Sequence, residues 1–376
     1  MDKIRRMLAT VAVLLSVGPV SAQHEWVGEV FLGWGDGNLQ VRSMAVFDGE
    51  LYTGTLKADG ANIYVRGVTP PWVPSATDGF GSASNQHAPA MAVFESFLGT
   101  WVTKLYVGVV NHVQGGQVWA YDGVNPWSQA NTSGFGDPSN GGVTALATFD
   151  DLLYAGTFNA SGAEIHSFTG VTWVPQSTGG FGNANNFSIS ELVVHKRKLW
   201  AGTLNNVDGG EIWWSSNGAD WYNLVPPGFF NSQVGVSSMA SAGGALYAAV
   251  HSSAGVQVWR VDPLPIEQVN SNGFGVPANI DAHDMAEYGG ELYVGTVNDV
   301  SGGQVWRLRG THWSQVSVSG FGNINNRSIR SLGVYNNELY AGTWNNTDGC
   351  EVWRYPMMFA DGFESGATIG WSATVP

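Results

Sequence analysis

The chain is poor in charge, almost free of cysteine and, after its first residues, without a long apolar run. Only 12% of its 376 residues are charged, and 30 acids face 16 Lys and Arg. So acidic a surface repels phosphate backbones, which argues against nucleic acid as a partner. One cysteine, Cys350, excludes an intrachain disulfide and any cysteine-based metal site. It stands where a strand-like run begins and reads as buried filler. No segment carries a sustained helical period, and beyond residue 22 no stretch approaches the roughly 18 apolar residues of a membrane span. A Ser or Cys nucleophile motif, a HExxH helix and a phosphate loop are likewise missing.

What is present begins with a leader. Lys3, Arg5 and Arg6 precede the apolar run Met7–Val17, and Val20-Ser21-Ala22 supplies small residues for cleavage. This pattern predicts a signal peptide over 1–22 and an exported, soluble mature chain. Without those residues the formal charge moves from −14 to −16.

The remainder is a repeat. Leu-Tyr-x-Gly-Thr, or a close variant, recurs at Leu51, Leu105, Leu153, Leu199, Leu246, Leu292 and Leu339, at intervals of 54, 48, 46, 47, 46 and 47 residues. Each copy reads as four short strands. The first, such as Ser331–Tyr335, meets the Leu-Tyr strand across a two-residue turn: Asp48-Gly49, Gly289-Gly290 or Asn336-Asn337. These residue types accept positive φ and suit hairpins. A polar loop leads to a third strand ending in an aromatic (Trp119, Trp213, Trp259, Trp306, Trp353). Another Trp opens the fourth strand, which runs into Gly-Phe-Gly and then an Asn (Asn38, Asn85, Asn140, Asn186, Asn279, Asn326). Four strands per copy and seven copies predict an all-β, seven-bladed β-propeller over 23–355. The chain begins with the end of a copy, Trp26–Gly35, and finishes with the first three strands of one. The last blade is therefore expected to be closed by the N-terminal strand.

Recurring residues are read first as framework. Most of the seventeen Trp occupy repeated strand positions and suit wedging between sheets. The recurring Asn suits capping of the turn. Departures from the repeat carry more. Two residues before the first-strand Leu or Met, close to the central channel, stand Arg42, Pro89, Thr144, Ser190, Ser237, His283 and Arg330; the next position gives Ser43, Ala90, Ala145, Glu191, Ser238, Asp284 and Ser331. Blades six, seven and one are consecutive, so His283, Asp284, Arg330 and Arg42 are expected at one channel mouth, with Arg327 and His87 on the rim. Paired arginines suit a carboxylate, and a His–Asp pair can move protons. The competing reading is ion pairing across blade junctions. Asn205–Gly210 and Asn346–Gly349 share an Asn-x-Asp-Gly flavour with calcium loops but lack the acidic first ligand and closing Glu, leaving calcium as the one candidate cofactor.

On these motifs the repeat resembles exported bacterial propellers built from Leu-Tyr-x-Gly-Thr and Gly-Phe-Gly units, a resemblance that implies a fold rather than a function. Ser215–Trp221 is similar to the Asp-box hairpin of sialidase-type propellers. It is one residue short and has Asn in place of the Asp, and no Arg-Ile-Pro signature lies near the start. After Tyr355, the tail 356–376 carries Asp361-Gly362-Phe363-Glu364-Ser365-Gly366 and Trp371. It resembles a segment at the C-termini of secreted bacterial proteins, which implies export or surface sorting. The functional expectation is a secreted, monomeric binding module that recognises a glycan or an extracellular protein through the loops of one face. The alternatives are a lyase or hydrolase acting on an acidic polysaccharide, and a surface-display protein.

Overall fold

A computed structural model describes residues 25–67, 72–97, 99–227 and 235–356. The leader, the tail beyond 356 and the fifth turn Gly228-Phe229-Phe230 lie outside the described residues. Strand β1 is Val27–Val30. Unit one follows as β2 Gln40–Phe47, β3 Glu50–Leu56, β4 Ile63–Arg66 and β5 Trp72–Ala76. Unit two is β6 His87–Phe97, β7 Trp101–Val110, β8 Gln117–Tyr121 and β9 Ser128–Gln129. Unit three is β10 Gly142–Phe149, β11 Leu152–Phe158, β12 Ile165–Phe168 and β13 Trp173–Ser177. Unit four is β14 Ser188–His195, β15 Lys198–Leu204, β16 Ile212–Ser215 and β17 Tyr222–Val225. Unit five is β18 Val236–Ala242, β19 Ala245–Val250, β20 Gln257–Asp262 and β21 Glu267–Gln268. Unit six is β22 Asp281–Tyr288, β23 Glu291–Val297, β24 Val305–Arg309 and β25 His312–Gln315, and β26 Ser328–Tyr335, β27 Glu338–Trp344 and β28 Val352–Tyr355 end the chain.

Within each unit, consecutive strands pair antiparallel. The hairpin turns take the positive φ their residues allow: 50° and 75° at Asp48-Gly49, 61° and 79° at Gly289-Gly290, 50° and 58° at Asn336-Asn337. The last three strands acquire their fourth partner from the other end of the chain, because β1 pairs antiparallel with β28, Val27 opposite Arg354 and Val30 opposite Val352.

The Gly of Leu-Tyr-x-Gly-Thr has a specific task. It sits where the first strand of the following unit passes, and a Cβ there would fall 2.6 Å from Ile189 Cβ at Gly156 and 2.8 Å from Ile329 Cγ2 at Gly295. Neighbouring sheets approach as closely as they do because that atom is missing. The same geometry joins the last sheet to the first, where a Cβ on Gly342 would fall 2.4 Å from Val41 Cβ.

Further contacts fasten these two units. Ser331 Oγ donates to Val41 O at 3.1 Å, Tyr335 Oη to Gly49 O at 3.1 Å, and Gln40 pairs with Trp344. One apolar cluster includes Val30, Val41, Leu51, Tyr335, Tyr340 and Val352, with fully buried Cys350 inside it. Burial pushes the Cys350 thiol well up, so it is inert filler. At the junction Glu29 of β1 accepts from Arg66 at 2.7 Å and from Arg354 at 2.8 Å, while Arg66 also lies over the Tyr335 and Tyr340 rings.

Glu29 is 13% exposed, so its removal leaves partly buried guanidinium groups short of a partner. Glu29→Ala should cost about 3 kcal/mol, read as a lower urea midpoint. A loss below about 0.5 kcal/mol, the range of an exposed pair, would show that this junction is held by packing alone.

Candidate functional site

Each first strand carries a register irregularity near its start. In β2, β10, β14, β18, β22 and β26 the ladder skips one residue: Arg42, Thr144, Ser190, Ser237, His283 and Arg330 respectively. In β6 the irregularity spans Ala88 and Pro89, between His87 and Ala90. A bulged residue is released from pairing and its side chain is re-aimed. These same residues, with Pro89, line one cavity of about 370 Å³ to which all seven first strands contribute. The position singled out in the repeat is thus the bulge.

Of the seven candidate residues, five line this cavity: Arg42, Glu191, His283, Asp284 and Arg330. The other two flank it. His87, at the start of β6, is half-buried within electrostatic reach of Arg42, Arg330 and His112. Arg327 is on the rim, ion-paired to Asp299 at 2.6 Å with the two side chains 37% and 46% exposed, and its guanidinium lies 4.9 Å from the Trp344 ring centre.

The two arginines of the cavity are short of partners. Arg42 donates one bond, to Gln40 Oε1 at 3.0 Å, and its buried Nε has no acceptor. Arg330 lies 5.9 Å from the Trp344 ring centre and makes no side-chain hydrogen bond or ion pair among the described residues. Burial, and then Arg330, lower the Arg42 pKa; burial lowers that of Arg330 to about 10, against the pull of Asp281 and Asp284. An arginine still holds its proton at neutral pH. The shifts measure how poorly these cations are compensated, and an incoming anion would relieve both.

The expected His283–Asp284 pair is not formed. His283 Nδ1 meets Ser328 Oγ at 2.9 Å, and the carboxylate beside its Nε2 is that of Asp281, at 3.7 Å. Both Asp284 oxygens are engaged by backbone, Oδ1 by Met285 N–H at 2.8 Å and Oδ2 by Leu332 N–H at 2.7 Å. The reason is the bulge, which turns His283 away from its neighbour while Asp284 resumes the ladder. At the position of Asp284 other units carry Ser43 and Ser331, which donate to a carbonyl of the next first strand. Asp284 bridges to its neighbour with the opposite polarity, as an acceptor. Burial raises its carboxyl to about 7 even though the two N–H groups oppose that shift.

Burial, followed by Arg330, pushes His283 well below the ordinary imidazole value, so it is neutral at pH 7. Burial opposes the charge on Asp281, but the hydrogen bond with His251, 3.4 Å away, and nearby His283 outweigh it and hold that carboxyl low. Glu191 is pushed well above the usual carboxyl range by burial and then by Asp284. At neutral pH the cavity therefore holds two arginine cations, one firmly ionised aspartate, an aspartic acid near its midpoint and a glutamate pressed towards its neutral form.

Sequence reasoning missed Asp281 and Trp344. Asp281 lies two residues before His283 on the same strand, a spacing that signals a shared face. Trp344 stands where the other units have Leu56, Val110, Phe158, Leu204, His251 and Val297, so the substitution was visible. Among the described residues no group of three or more His, Cys, Asp or Glu is arranged to hold a metal ion. In the two loops considered for calcium, Asp208 and Asp348 accept amide hydrogen bonds, Asp208 from Asn183 and Asn185, Asp348 from Asn323 and Asn325.

No family model and no curated protein sequence matches the chain. Solved structures do match in fold. Streptogramin B lyase aligns with a TM-score of 0.62 at 10% identity, over 85% of this chain and 93% of its own. An extracellular domain assigned to a hybrid two-component system of B. thetaiotaomicron aligns with a TM-score of 0.58 at 15% identity, over 89% of this chain and 40% of its own. A second such domain from that organism gives 0.56 at 15% identity, over 85% and 41%. These neighbours are β-propellers, and at such identities the likeness is one of fold alone.

The half-buried imidazole of His87 has a measurable consequence. Burial first, then Arg42 and Arg330, lower its pKa to about 3. The unfolded chain, with an ordinary value near 6.5, takes up the proton first. Stability is thus fully present above about pH 6.5 and is lost as pH falls towards 3. Between pH 6.5 and 5 His87 should account for about 2 kcal/mol of lost stability, and His87→Gln should flatten the urea-midpoint profile there. An unchanged slope would put the imidazole in contact with water.

Proposed function

We propose that the chain is a seven-bladed β-propeller, exported from its cell, that acts as a binding module and holds an acidic group of a glycan in the central cavity. The seven four-stranded units, and the fastening of the last to the first through Gly342, Ser331 and Glu29, support the ring. Its extracellular neighbours in structure and the leader pattern support export. Among the described residues no helix is long and apolar enough to cross a membrane.

The observation that carries the ligand reading is the pair of arginines. Arg42 and Arg330 stand at bulges facing one cavity, and among the described residues Arg330, and Nε of Arg42, have no acceptor. Guanidinium groups drawn partly out of water are ordinarily paired. A carboxylate on a sugar ring supplies the missing acceptors in the planar geometry that arginine prefers.

A second reading rests on His283. Its imidazole is neutral, its Nδ1 is oriented by Ser328, and it lines the same cavity as the two arginines. A neutral imidazole beside a neutralised carboxylate is the arrangement that proton abstraction next to a uronate requires. An enzyme of this kind would release unsaturated uronate products, and His283→Ala would abolish them while leaving binding in place.

The deciding measurement is a glycan-array screen, uronate polymers included, of the wild type beside an Arg42→Ala/Arg330→Ala variant. With about 1.5–3 kcal/mol per charged hydrogen bond lost, the variant should bind at least about a hundredfold more weakly. Binding that survives the double substitution would move the site to the blade loops. A silent array with a folded protein would favour a protein partner.

A further inference from the structure

The cationic end of the cavity has a counterpart. Glu191, on β14, lines the same space from unit four, whereas Arg330 and Arg42 come from units seven and one. Among the described residues its carboxyl receives one hydrogen bond, from the Leu192 backbone N–H, and no Lys, Arg or His lies within ion-pair distance. Among the described residues the charged group acting on it is another acid, Asp284. Two hydroxyls of the same lining are committed elsewhere, Ser190 Oγ to Val236 O at 2.6 Å and Thr144 Oγ1 to Ile189 O at 2.7 Å, while Ser237 Oγ, from the next unit, makes no hydrogen bond among the described residues.

One cavity thus holds two under-partnered cations from units seven and one and, from unit four, a carboxyl without a cationic partner among the described residues. Groups with opposite charge that share a cavity usually find each other, since each is costly to bury alone. Here they are held apart by the strands that carry them. A ligand with only a negative group would satisfy the arginines and leave Glu191 as it is. We infer that the ligand is dipolar, a small molecule or terminal residue carrying a carboxylate for Arg42 and Arg330 and an ammonium group for Glu191. This rests on the anion-binding reading above and adds the second pole.

The chemistry of capture follows. Burial, and then Asp284, press Glu191 towards its neutral form. An ammonium group beside it favours the carboxylate form, so its proton passes to solvent as the ion pair forms, and nothing else is exchanged. Asp284, Asp281 and His283 line the same cavity, Asp281 lies 3.4 Å from His251 and 3.7 Å from His283, and both aspartates act on Arg330. A cavity of about 370 Å³ suits one sugar ring or one amino acid. The same dipolar chemistry is offered by an amino-uronic acid and by a free amino acid, and the test below separates them.

Calorimetric titration of the full chain would use two probe sets at pH 6.5. The sugar arm compares 2-amino-2-deoxyglucuronate with glucuronate and glucosamine; the amino-acid arm compares 4-aminobutyrate with butyrate and butylamine. In at least one arm the dipolar probe should bind about tenfold tighter than either single-group probe, the worth of one modest charged contact, and that arm identifies the source. Glu191→Gln should erase this advantage and leave the carboxylate-only affinity within about twofold. Repeating the wild-type titration in buffers of different ionisation enthalpy should show proton release on binding the dipolar probe, a readout that needs no variant. Equal affinity for the dipolar and carboxylate-only probes would overturn the second pole while the anion site stands. An advantage that persists in Glu191→Gln would also overturn it. Failure of every carboxylate probe would overturn the anion-binding reading itself.

Discussion

The structure depends on one buried side chain repeated six times. Asn38, Asn85, Asn140, Asn186, Asn279 and Asn326 are all excluded from water. Each donates from Nδ2 to the carbonyl of the first Gly in its own Gly-Phe-Gly or Gly-Trp-Gly turn, at 2.8–3.0 Å. In five of them the same amide also reaches forward to the residue that opens or immediately precedes the third strand of the next unit: Gln117, Glu164, Glu211, Gln304 or Glu351. The acceptor Oδ1 takes a bond from Asn111, Asn159, Asn205, Asn298 or Asn345 of that next unit. A buried amide with all its capacity used is a rigid joint, and an unused one would cost about 1–3 kcal/mol per group. The joint thus fixes how one sheet meets the next, and the cavity at the centre inherits its shape from that angle.

The turn before each Asn is strained, and the strain has a visible return. Its middle aromatic lies in the left-handed region, φ 59° at Trp34, Phe80, Phe181 and Phe274, 56° at Phe135 and 52° at Phe321. For a residue with a side chain that costs about 1–2 kcal/mol. In exchange the ring lies flat on the third-strand aromatic of the next unit: Phe80 on Trp119 at 4.7 Å, Phe181 on Trp213 at 4.5 Å, Phe274 on Trp306 at 4.8 Å and Phe321 on Trp353 at 4.8 Å. Where that aromatic changes the stack remains, with Trp34 on Tyr64 and Phe135 on His166, both at 4.1 Å. Abundant tryptophan in this chain is thus accounted for by sheet-to-sheet packing.

The repeat was legible because each of its letters answers a local constraint. Turn dipeptides report positive φ, alternating apolar residues report strands, and the missing Cβ of Leu-Tyr-x-Gly-Thr reports a close approach. The row from Arg42 to Arg330 was legible for the same reason, since a position that varies inside a strict repeat is one that the framework does not use. What the letters do not carry is register. Nothing in Ala282-His283-Asp284-Met285 says that the ladder skips His283, so its partner was read as Asp284 rather than Asp281. The forward reach of each Asn was hidden too, because capping and bridging call for the same amide.

The bulge explains why one framework admits so unequal a set of residues at its centre. A residue in register must pair across the sheet, and substitution there disturbs two strands. A residue skipped by the ladder owes the sheet nothing beyond its own backbone, so Arg, His, Thr or Ser can occupy it at similar cost. The next residue is back in register, and in three units it bonds to the neighbouring first strand, from Ser43, from Ser331 or, with reversed polarity, from Asp284. Ala90 and Ala145 carry no group for such a bond, and Ser238 Oγ makes none among the described residues. Glu191 carries a polar group and does not use it in this way. It occupies the in-register position of unit four, yet neither bonds to the next strand nor finds a cation, and the strand-to-strand bond at that junction is made by the bulged Ser190 instead. A carboxyl left in this way, lining the same cavity as two under-partnered arginines, is the group that the proposed dipolar ligand would engage.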